Sequence, residues 1–265
     1  MDPTDLIASL KDRSLDGDLA RLYGPDPAEL EAARRRLVEV ATAFVQQFPQ
    51  VPATLFTAPG RTELGGNHTD HQRGRVLAAA VNLDTVACAG PNGTDEVRIH
   101  QVGRDPIRLD TRDLAKREAE VGSSIALVRG VARGVQDRGC SVAGIDAVID
   151  SAIPVGSGLS SSAAFEVLLT NIFATFFCEG ALTPIQIAQI GQFAENEYFG
   201  KPSGLRTRWR APSAASSPLT SPTPTSLRLN KSTSPLKTQA TSCALLRLAV
   251  TTVTSPPTMQ RSRVR

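Results

Sequence analysis

Hydrophobic residues recur at helical spacing in five stretches of the chain. The clearest is residues 27–48, where Leu37, Val40 and Phe44 fall every three to four positions and Pro27 stands at the start. Proline is favoured in the first turn of a helix, and apolar residues at this spacing form one buried face. The same pattern predicts further helices over residues 4–13, 121–139, 160–177 and 183–199.

Between these helices lie shorter apolar or alternating segments that predict strands. They are ATLFTAP at 53–59, RVLAAAVNLDTVACA at 75–89, EVRIHQV at 96–102 and GIDAVIDSAIP at 144–154. The sequence contains no visible internal repeat. The order of the elements therefore predicts an α+β fold.

The composition changes after Leu205. Residues 1–205 hold 19 basic and 26 acidic residues, a net charge of −7, whereas residues 206–265 hold ten basic residues and no acid. Ser, Thr and Pro make up 28 of those last 60 residues, so the segment lacks the apolar content that offsets chain entropy. This composition predicts a disordered basic extension, with binding to nucleic acid or another anionic surface as the functional alternative. Trp209 is its only aromatic residue, which gives base stacking little support.

The four cysteines, Cys88, Cys140, Cys178 and Cys243, are scattered and form no CxxC pair, which argues against a zinc site. The N-terminal sequence, MDPTDLIASL, has no signal-peptide pattern, and no apolar run is long enough to span a bilayer. We therefore expect a protein of a reducing compartment, the cytoplasm, with no membrane and no specific nucleic acid as a partner.

One candidate for chemistry is IPVGSGLSSSAAFEV, residues 153–167. A predicted strand ends there, two glycines flank Ser157, and a run of serines opens a predicted helix. Glycine lets the backbone pass close to a bulky anion, and the start of a helix offers free N–H groups and the positive end of the helix dipole. Serine hydroxyls cap helices or bind Mg2+. For G-S-G alone, a glycine turn followed by an ordinary serine cap is the structural alternative.

A second candidate is APGRTELGGNHTDHQRGRVLAAAV, residues 58–81. It puts Arg61, Asn67, His68 and Asp70 on a glycine-bearing loop between predicted strands. Short polar side chains on a tight loop can share hydrogen bonds with several sugar hydroxyls. Taken alone, a His-Thr-Asp string more often forms a network that only stabilises the loop.

Three strings resemble signatures of one superfamily. P-x-G-S-G-L-S-S-S-A-A resembles the second signature of the GHMP kinases, small-molecule kinases that include galactokinases, homoserine kinases and mevalonate kinases. Residues 60–71 resemble the galactokinase signature G-R-[VI]-N-x-[IL]-G-E-H-T-D-Y, with Glu63, Asn67 and His71 in place of its Asn, Glu and Tyr. QFAENEYFGKPSGL, residues 192–205, resembles the galactokinase pattern A-E-N-x-[FY]-x-G-x-x-x-G-[IL]-M-D-Q as far as Leu205, after which M-D-Q is missing.

The resemblance implies ATP-dependent phosphorylation of galactose at its anomeric hydroxyl, with Mg2+, in a monomer. It implies an α+β domain over residues 26–205, built on a mixed sheet with covering helices like domain 2 of ribosomal protein S5. Residues 1–25 form a short segment before this domain, and the C-terminal domain is incomplete.

The resemblance also assigns roles to individual residues. The residues expected around the ATP phosphates are Gly156, Ser157, Gly158, Leu159, Ser160, Ser161 and Ser162. Those expected to hold Mg2+ are Ser162 and Glu195, and Arg61 is expected to stabilise charge that develops on the transferred group. The sugar is expected to contact Asn67, His68, Asp70 and the Gly204 backbone.

The catalytic base of the galactokinase pattern, the Asp of M-D-Q, would stand two residues after Leu205, where this chain has Thr207. A threonine hydroxyl does not act as a general base near neutral pH. Residues 206–223 can be back-translated into codons that read MDQMASSVGGLVTIDFAD after insertion of a single T. Residues 248–265, shifted by one base, can be read as LGGDHGDLTADYAAIPSE.

We therefore interpret residues 206–265 as an out-of-frame tail, and we expect the chain as written to be inactive. Three alternatives stay open at this point. They are another GHMP kinase, a non-catalytic galactose or ATP sensor, and an inert fragment.

Overall fold

The structure, a computed structural model, describes residues 2–65, 77–178, 182–201 and 203. Its helices are α1 (Pro3–Lys11), α2 (Asp16–Tyr23), α3 (Pro27–Gln47), α4 (Ser124–Gln136), α5 (Ser161–Phe177) and α6 (Pro184–Phe193). Its strands are β1 (Thr54–Gly65), β2 (Leu77–Pro91), β3 (Glu96–Gln101), β4 (Ile107–Asp110) and β5 (Ile145–Ser151). A short 3-10 turn spans Glu118–Glu120, and a π-helical turn spans Ala194–Phe199.

At α3 and α6, a side chain caps the predicted start of the helix. The Asp26 carboxylate accepts hydrogen bonds from the backbone N–H groups of Ala28 (2.9 Å) and Glu29 (3.2 Å), so α3 begins at Pro27. At α6, Thr183 and Gln186 form a reciprocal capping box. Each cap satisfies backbone donors that the helix itself cannot pair.

The five strands form one mixed sheet in the order β1-β2-β5-β3-β4. Strands β1 and β2, β2 and β5, and β3 and β4 pair antiparallel, whereas β3 and β5 pair parallel. The expected α+β fold on a mixed sheet is confirmed. Because β5 is the middle strand, the loop that follows it emerges near the middle of the sheet edge and leads directly into α5.

Alternate residues of the central strands face two separate cores. In β5, Ala147 and Ile149 point to the core formed with α4, α5 and α6, while Val148 points to the core formed with α1, α2 and α3. Strand β2 divides in the same way, with Ala87 on the first side and Val86 on the second. The sheet is therefore buried on both faces. A ligand site would have to lie at the ends of its strands.

Two regular elements were not predicted from the sequence. Helix α2 is short and strongly polar and buries only Leu19, so it carries little helical pattern. Strand β4 has four residues at the sheet edge, too few to show clear alternation. The last predicted helix, residues 183–199, is helical over Pro184–Phe199, but its final six residues change from α- to π-helical at Ala194.

The structure pairs Cys140 with Cys178 in a disulfide, with their Cα atoms 5.2 Å apart. It joins the segment after α4 to the C-terminal end of α5, and the scattered spacing of the cysteines gives no sign of it. Cys88 is buried with a free thiol, and Cys243 lies outside the described residues. Within the described part of the chain, no helix has the length and apolar character needed to cross a membrane.

Candidate active site

The loop between β5 and α5 has an alternating backbone. The φ angle is positive at Gly156 (77°), Gly158 (75°) and Ser160 (64°), and not at the residues between them. When successive residues have φ angles of opposite sign, their N–H groups point toward one concave side, and this arrangement binds anions. Glycine adopts positive φ without cost, whereas Ser160 holds it with some strain, which is typical of functional loops.

Ser157 holds this loop together from within. Its hydroxyl donates a hydrogen bond to the Pro154 carbonyl (2.7 Å) and accepts one from the backbone N–H of Leu159 (3.4 Å). Residues 154–158 are nevertheless exposed to solvent. The Ser157 side chain therefore shapes the loop, while the exposed backbone on its concave side is available to a ligand.

The N-terminal end of α5 closes the same concavity. Its first turn contains no acidic residue, and within the described part of the chain the Ser160 hydroxyl does not cap it. The backbone donors of the first turn and the positive end of the helix dipole therefore face the loop without an acidic residue of the helix itself to neutralise them. A phosphate group suits such a helix start.

Strand β1 delivers Arg61 to this loop. The register of β1 against β2 shifts between Pro59 and Arg61, a bulge that re-aims the arginine. Arg61 is buried, its backbone N–H donates to the Leu159 carbonyl (3.1 Å), and its Nη1 donates to the Gly158 carbonyl (3.3 Å). A Cβ atom at Gly60 would stand 3.1 Å from the Leu159 carbonyl oxygen, so glycine there permits the close approach.

A partly buried ionic cluster lies at the base of the loop, and sequence reasoning missed it. Arg36 of α3 bonds to the carboxylates of both Asp84 and Asp150. Tyr23 donates to Asp84 (2.7 Å), and the backbone N–H of Ala152 donates to the Asp84 carbonyl (2.9 Å). The cluster joins the middle of β2 to the C-terminal end of β5, just before residues 153–160. Its one visible signal is an aspartate inside the apolar stretch of β2.

The π-helical turn brings Glu195 to the start of α5. The Ser162 hydroxyl donates to Glu195 Oε1 (3.1 Å), and the Glu195 residue is only 3% exposed. The turn lies close to α4 because Gly130 lacks a Cβ, which would stand 2.8 Å from the Ala194 Cα. A carboxylate and a hydroxyl oxygen side by side fit the hard oxygen ligands that Mg2+ prefers, with its remaining positions left for water or phosphate.

A cavity of about 300 Å3 opens beside the loop. Ser161, Ser162 and Val155 form the wall that it shares with the loop and α5. The rest of its lining includes the apolar residues Val102, Leu127, Ile149, Ile153, Phe165 and Phe199. Thr85 and Ser151 add hydroxyls, which lie 2.8 Å apart. A partly apolar cavity next to an anion-binding loop suits a ligand with both a ring system and phosphates.

The structure thus brings together Arg61, the 156–162 loop and Glu195 as one site. The other predicted site residues, Asn67, His68, Asp70 and Gly204, lie outside the described residues. The nearest described position to Gly204 is Ser203, whose N–H and hydroxyl both donate to the Asn196 Oδ1 (2.8 and 2.9 Å).

Two family models match separate parts of the chain. Residues 126–206 match the family model described as the GHMP kinases N terminal domain. Residues 42–91 match the model described as the galactokinase galactose-binding signature. Over these two stretches the chain is therefore similar to the galactokinases among the GHMP kinases.

Individual relatives agree with this assignment. The chain is 32% identical over 168 residues to the galactokinase of Lacticaseibacillus casei and 35% identical over 164 residues to that of Chloroflexus aurantiacus. These alignments cover 63% and 62% of this chain but only 43% and 41% of the two relatives. The chain therefore spans about two fifths of the length of the galactokinases that it matches.

Solved structures give the same result. Lactococcus lactis galactokinase, crystallised in complex with galactose, matches with a TM-score of 0.60 and 26% identity, over 66% of this chain and 45% of its own. Mevalonate kinase of Methanococcus jannaschii matches with a TM-score of 0.51 and 20% identity, over 61% of this chain and 52% of its own. The second likeness is one of fold alone.

Proposed function

We propose that the protein to which this chain corresponds transfers the γ-phosphate of ATP to the anomeric hydroxyl of galactose, giving galactose 1-phosphate. One observation carries the proposal. Arg61 stands within the segment that matches the galactose-binding signature, and its guanidinium donates to the carbonyl of Gly158 in the anion-binding loop. A sugar-binding segment and a phosphate-binding loop therefore meet at one side chain, as phosphoryl transfer to a sugar requires.

In this proposal, residues 156–162 hold the nucleotide phosphates and the adjoining cavity holds the nucleoside. The N–H groups of the loop and of the first turn of α5 neutralise phosphate charge. Ser162 and Glu195 are the residues that would bind Mg2+, which supplies further neutralisation of the transferred group when bound. Arg61, fixed by the loop carbonyl, is positioned to stabilise charge that develops during transfer.

The sugar side of the site is assigned to Asn67, His68, Asp70 and the Gly204 backbone, from the galactokinase signature. The neutral Asn67 takes the place of a glutamate in the common signature, and its amide can still exchange hydrogen bonds with a sugar hydroxyl. Hydrogen bonds to named hydroxyls are the means by which such a site separates galactose from glucose.

The catalytic base is the missing part. The residue at its position is Thr207, which does not accept a proton at neutral pH. We propose that residues 206–265 are read out of frame, so that the chain as written binds ligands without turning them over. The proposal is supported by the absence of acidic residues after Glu197 and by a back-translation of residues 206–223 in which one inserted base gives M-D-Q after Leu205.

The experiment is to insert a single T in codon 206, extend the gene into its downstream sequence, and measure ADP formation with and without galactose. We expect galactose-dependent ADP formation from the repaired protein and none from the original chain. Glucose, homoserine and mevalonate serve as control substrates, and preference for homoserine or mevalonate would assign the protein to a sibling kinase. Turnover of galactose by the original chain, with its frame confirmed by resequencing, would refute the frame proposal.

A further inference from the structure

The turn after the π-helix returns the chain to Glu195. Gly200 has a left-handed φ of 81°, and the next backbone N–H, that of Lys201, donates to the Glu195 carbonyl (3.0 Å). A Cβ at Gly200 would stand 2.9 Å from Val121, so both the dihedral angle and the space favour glycine. This reversal puts Lys201 directly beside the carboxylate that faces Ser162.

The side chain of Lys201 points at the same carboxylate oxygen as Ser162. Lys201 Nζ lies 3.8 Å from Glu195 Oε1, and Ser162 Oγ lies 3.1 Å from that oxygen. The lysine side chain is 66% exposed, whereas that of Glu195 is 5% exposed. One end of the pair is therefore fixed and buried, and the other is a mobile ammonium on a long stem at the mouth of the site.

The backbone that carries Lys201 is anchored on its far side as well. Gln192 Nε2 donates to the Ser203 carbonyl (2.9 Å), and Asn196 Oδ1 accepts from the Ser203 N–H (2.8 Å). Ser203, two residues after Lys201, is thus tied to α6 and the π-helical turn. Backbone hydrogen bonds on both sides of Lys201 therefore keep it near the start of α5.

We propose that Lys201 is a phosphate-binding residue of the nucleotide site, an inference that rests on the function proposed above. In the unliganded chain its ammonium is the counter-ion of Glu195. When the carboxylate binds a divalent cation, Lys201 is released and donates to the nucleotide phosphates. A lysine ammonium can make this exchange because it is a point charge without a fixed hydrogen-bonding plane.

The proposal predicts two effects of opposite sign for Lys201→Met in the 265-residue chain. Binding of ATP measured by calorimetry at saturating Mg2+, the condition in which Lys201 is released from Glu195, weakens roughly tenfold, because a charge-assisted hydrogen bond to phosphate is lost. Binding of Mn2+ alone, measured by electron paramagnetic resonance, strengthens about two- to fivefold, because an exposed competitor for Glu195 is removed. A variant that merely disturbed the fold would weaken both.

Lys11→Met is the matched control, since it removes the same charge from the end of α1, on the opposite face of the sheet, and should change neither measurement. Lys201→Arg should restore most of the ATP affinity. If Lys201→Met binds ATP as tightly as the unmodified chain does, Lys201 is not a phosphate ligand. Tighter Mn2+ binding with unchanged ATP binding would show that Lys201 is only a counter-ion of Glu195. If the unmodified, folded chain binds no ATP, the proposed nucleotide site itself fails, and this inference fails with it.

Discussion

The glycine at position 130 should decide how closely the Glu195 turn packs on α4. An alanine Cβ there would stand 2.8 Å from the Ala194 Cα, 2.9 Å from its Cβ and 3.0 Å from Tyr198 Cγ. Two of these contacts are with the Cα and Cβ atoms of Ala194, which cannot move by a change of side-chain rotamer. The turn has to move away from α4, and Glu195 moves with it.

Gly134, one helical turn later, provides the comparison. Its nearest neighbour would be Ile190 Cγ2 at 3.0 Å, the end of a side chain that can adjust. Both substitutions gain about 1 kcal/mol from the helix propensity of alanine over glycine. Overpacking costs typically about 1–3 kcal/mol, the upper part at Gly130 and the lower part at Gly134. We therefore expect Gly130→Ala to lower the free energy of unfolding by about 2 kcal/mol and Gly134→Ala to leave it nearly unchanged.

The assay is urea denaturation of both variants, followed by circular dichroism, with ATP affinity in Mg2+ as a second measurement. Gly130→Ala should also weaken ATP binding, because it displaces Glu195 from Ser162, while Gly134→Ala should not. Equal stability and equal affinity in the two variants would refute the argument that the missing Cβ at Gly130 positions the turn.

Three further predictions concern the scaffold. Reduction of the disulfide, or Cys140→Ser, should lower the free energy of unfolding by about 2–4 kcal/mol in urea denaturation, and an unchanged midpoint would mean that the crosslink adds nothing. Burial raises the pKa of the Cys88 thiol to about 12, so iodoacetamide at mildly alkaline pH should leave it unmodified in the folded chain and label it in urea, as checked by peptide mapping. Arg36→Met leaves the buried Asp84 without a cation and should lower the free energy of unfolding by about 3 kcal/mol. Arg21→Met, which removes one partner of an exposed pair, should lower it by less than about 1 kcal/mol. Equal losses of stability in thermal or urea unfolding would argue against the cluster.

Regular elements with long periodic patterns were predictable from the sequence alone. Helix α3 begins at Pro27 as predicted, because its cap and first turn are local features. The last helix ends at Phe199 as predicted, but its π-helical geometry over Ala194–Phe199 could not be predicted, because it depends on contact with α4, which is distant in the sequence. The α+β class followed from element order, while the strand order follows from pairing between distant segments.

The candidate site was also predictable only where its signals are local in the sequence. The loop 156–162 was identified from a local string, since glycine positions and a helix start are both visible in the sequence. The meeting of Arg61 with Gly158 and of Ser162 with Glu195 required the resemblance to a family, because their separations along the chain carry no signal. Neither Asp84 nor Lys201 stood out, since an aspartate in a strand and a lysine in a turn acquire meaning only from their neighbours in space.

Calorimetric titration of the 265-residue chain with Mg-ATP tests most directly whether residues 156–162 form a nucleotide site. We expect weak but measurable binding, which Gly158→Val abolishes because a β-branched residue is strained at a φ of 75° and reshapes the loop. Gly139→Val is the control, since it imposes the same kind of strain at a φ of 87°, with nothing within 4 Å of the added Cβ, at the far end of α4. Binding that is lost in Gly158→Val and kept in Gly139→Val supports the site. No heat at millimolar ATP from chain shown to be folded, or equal binding in both variants, would contradict it.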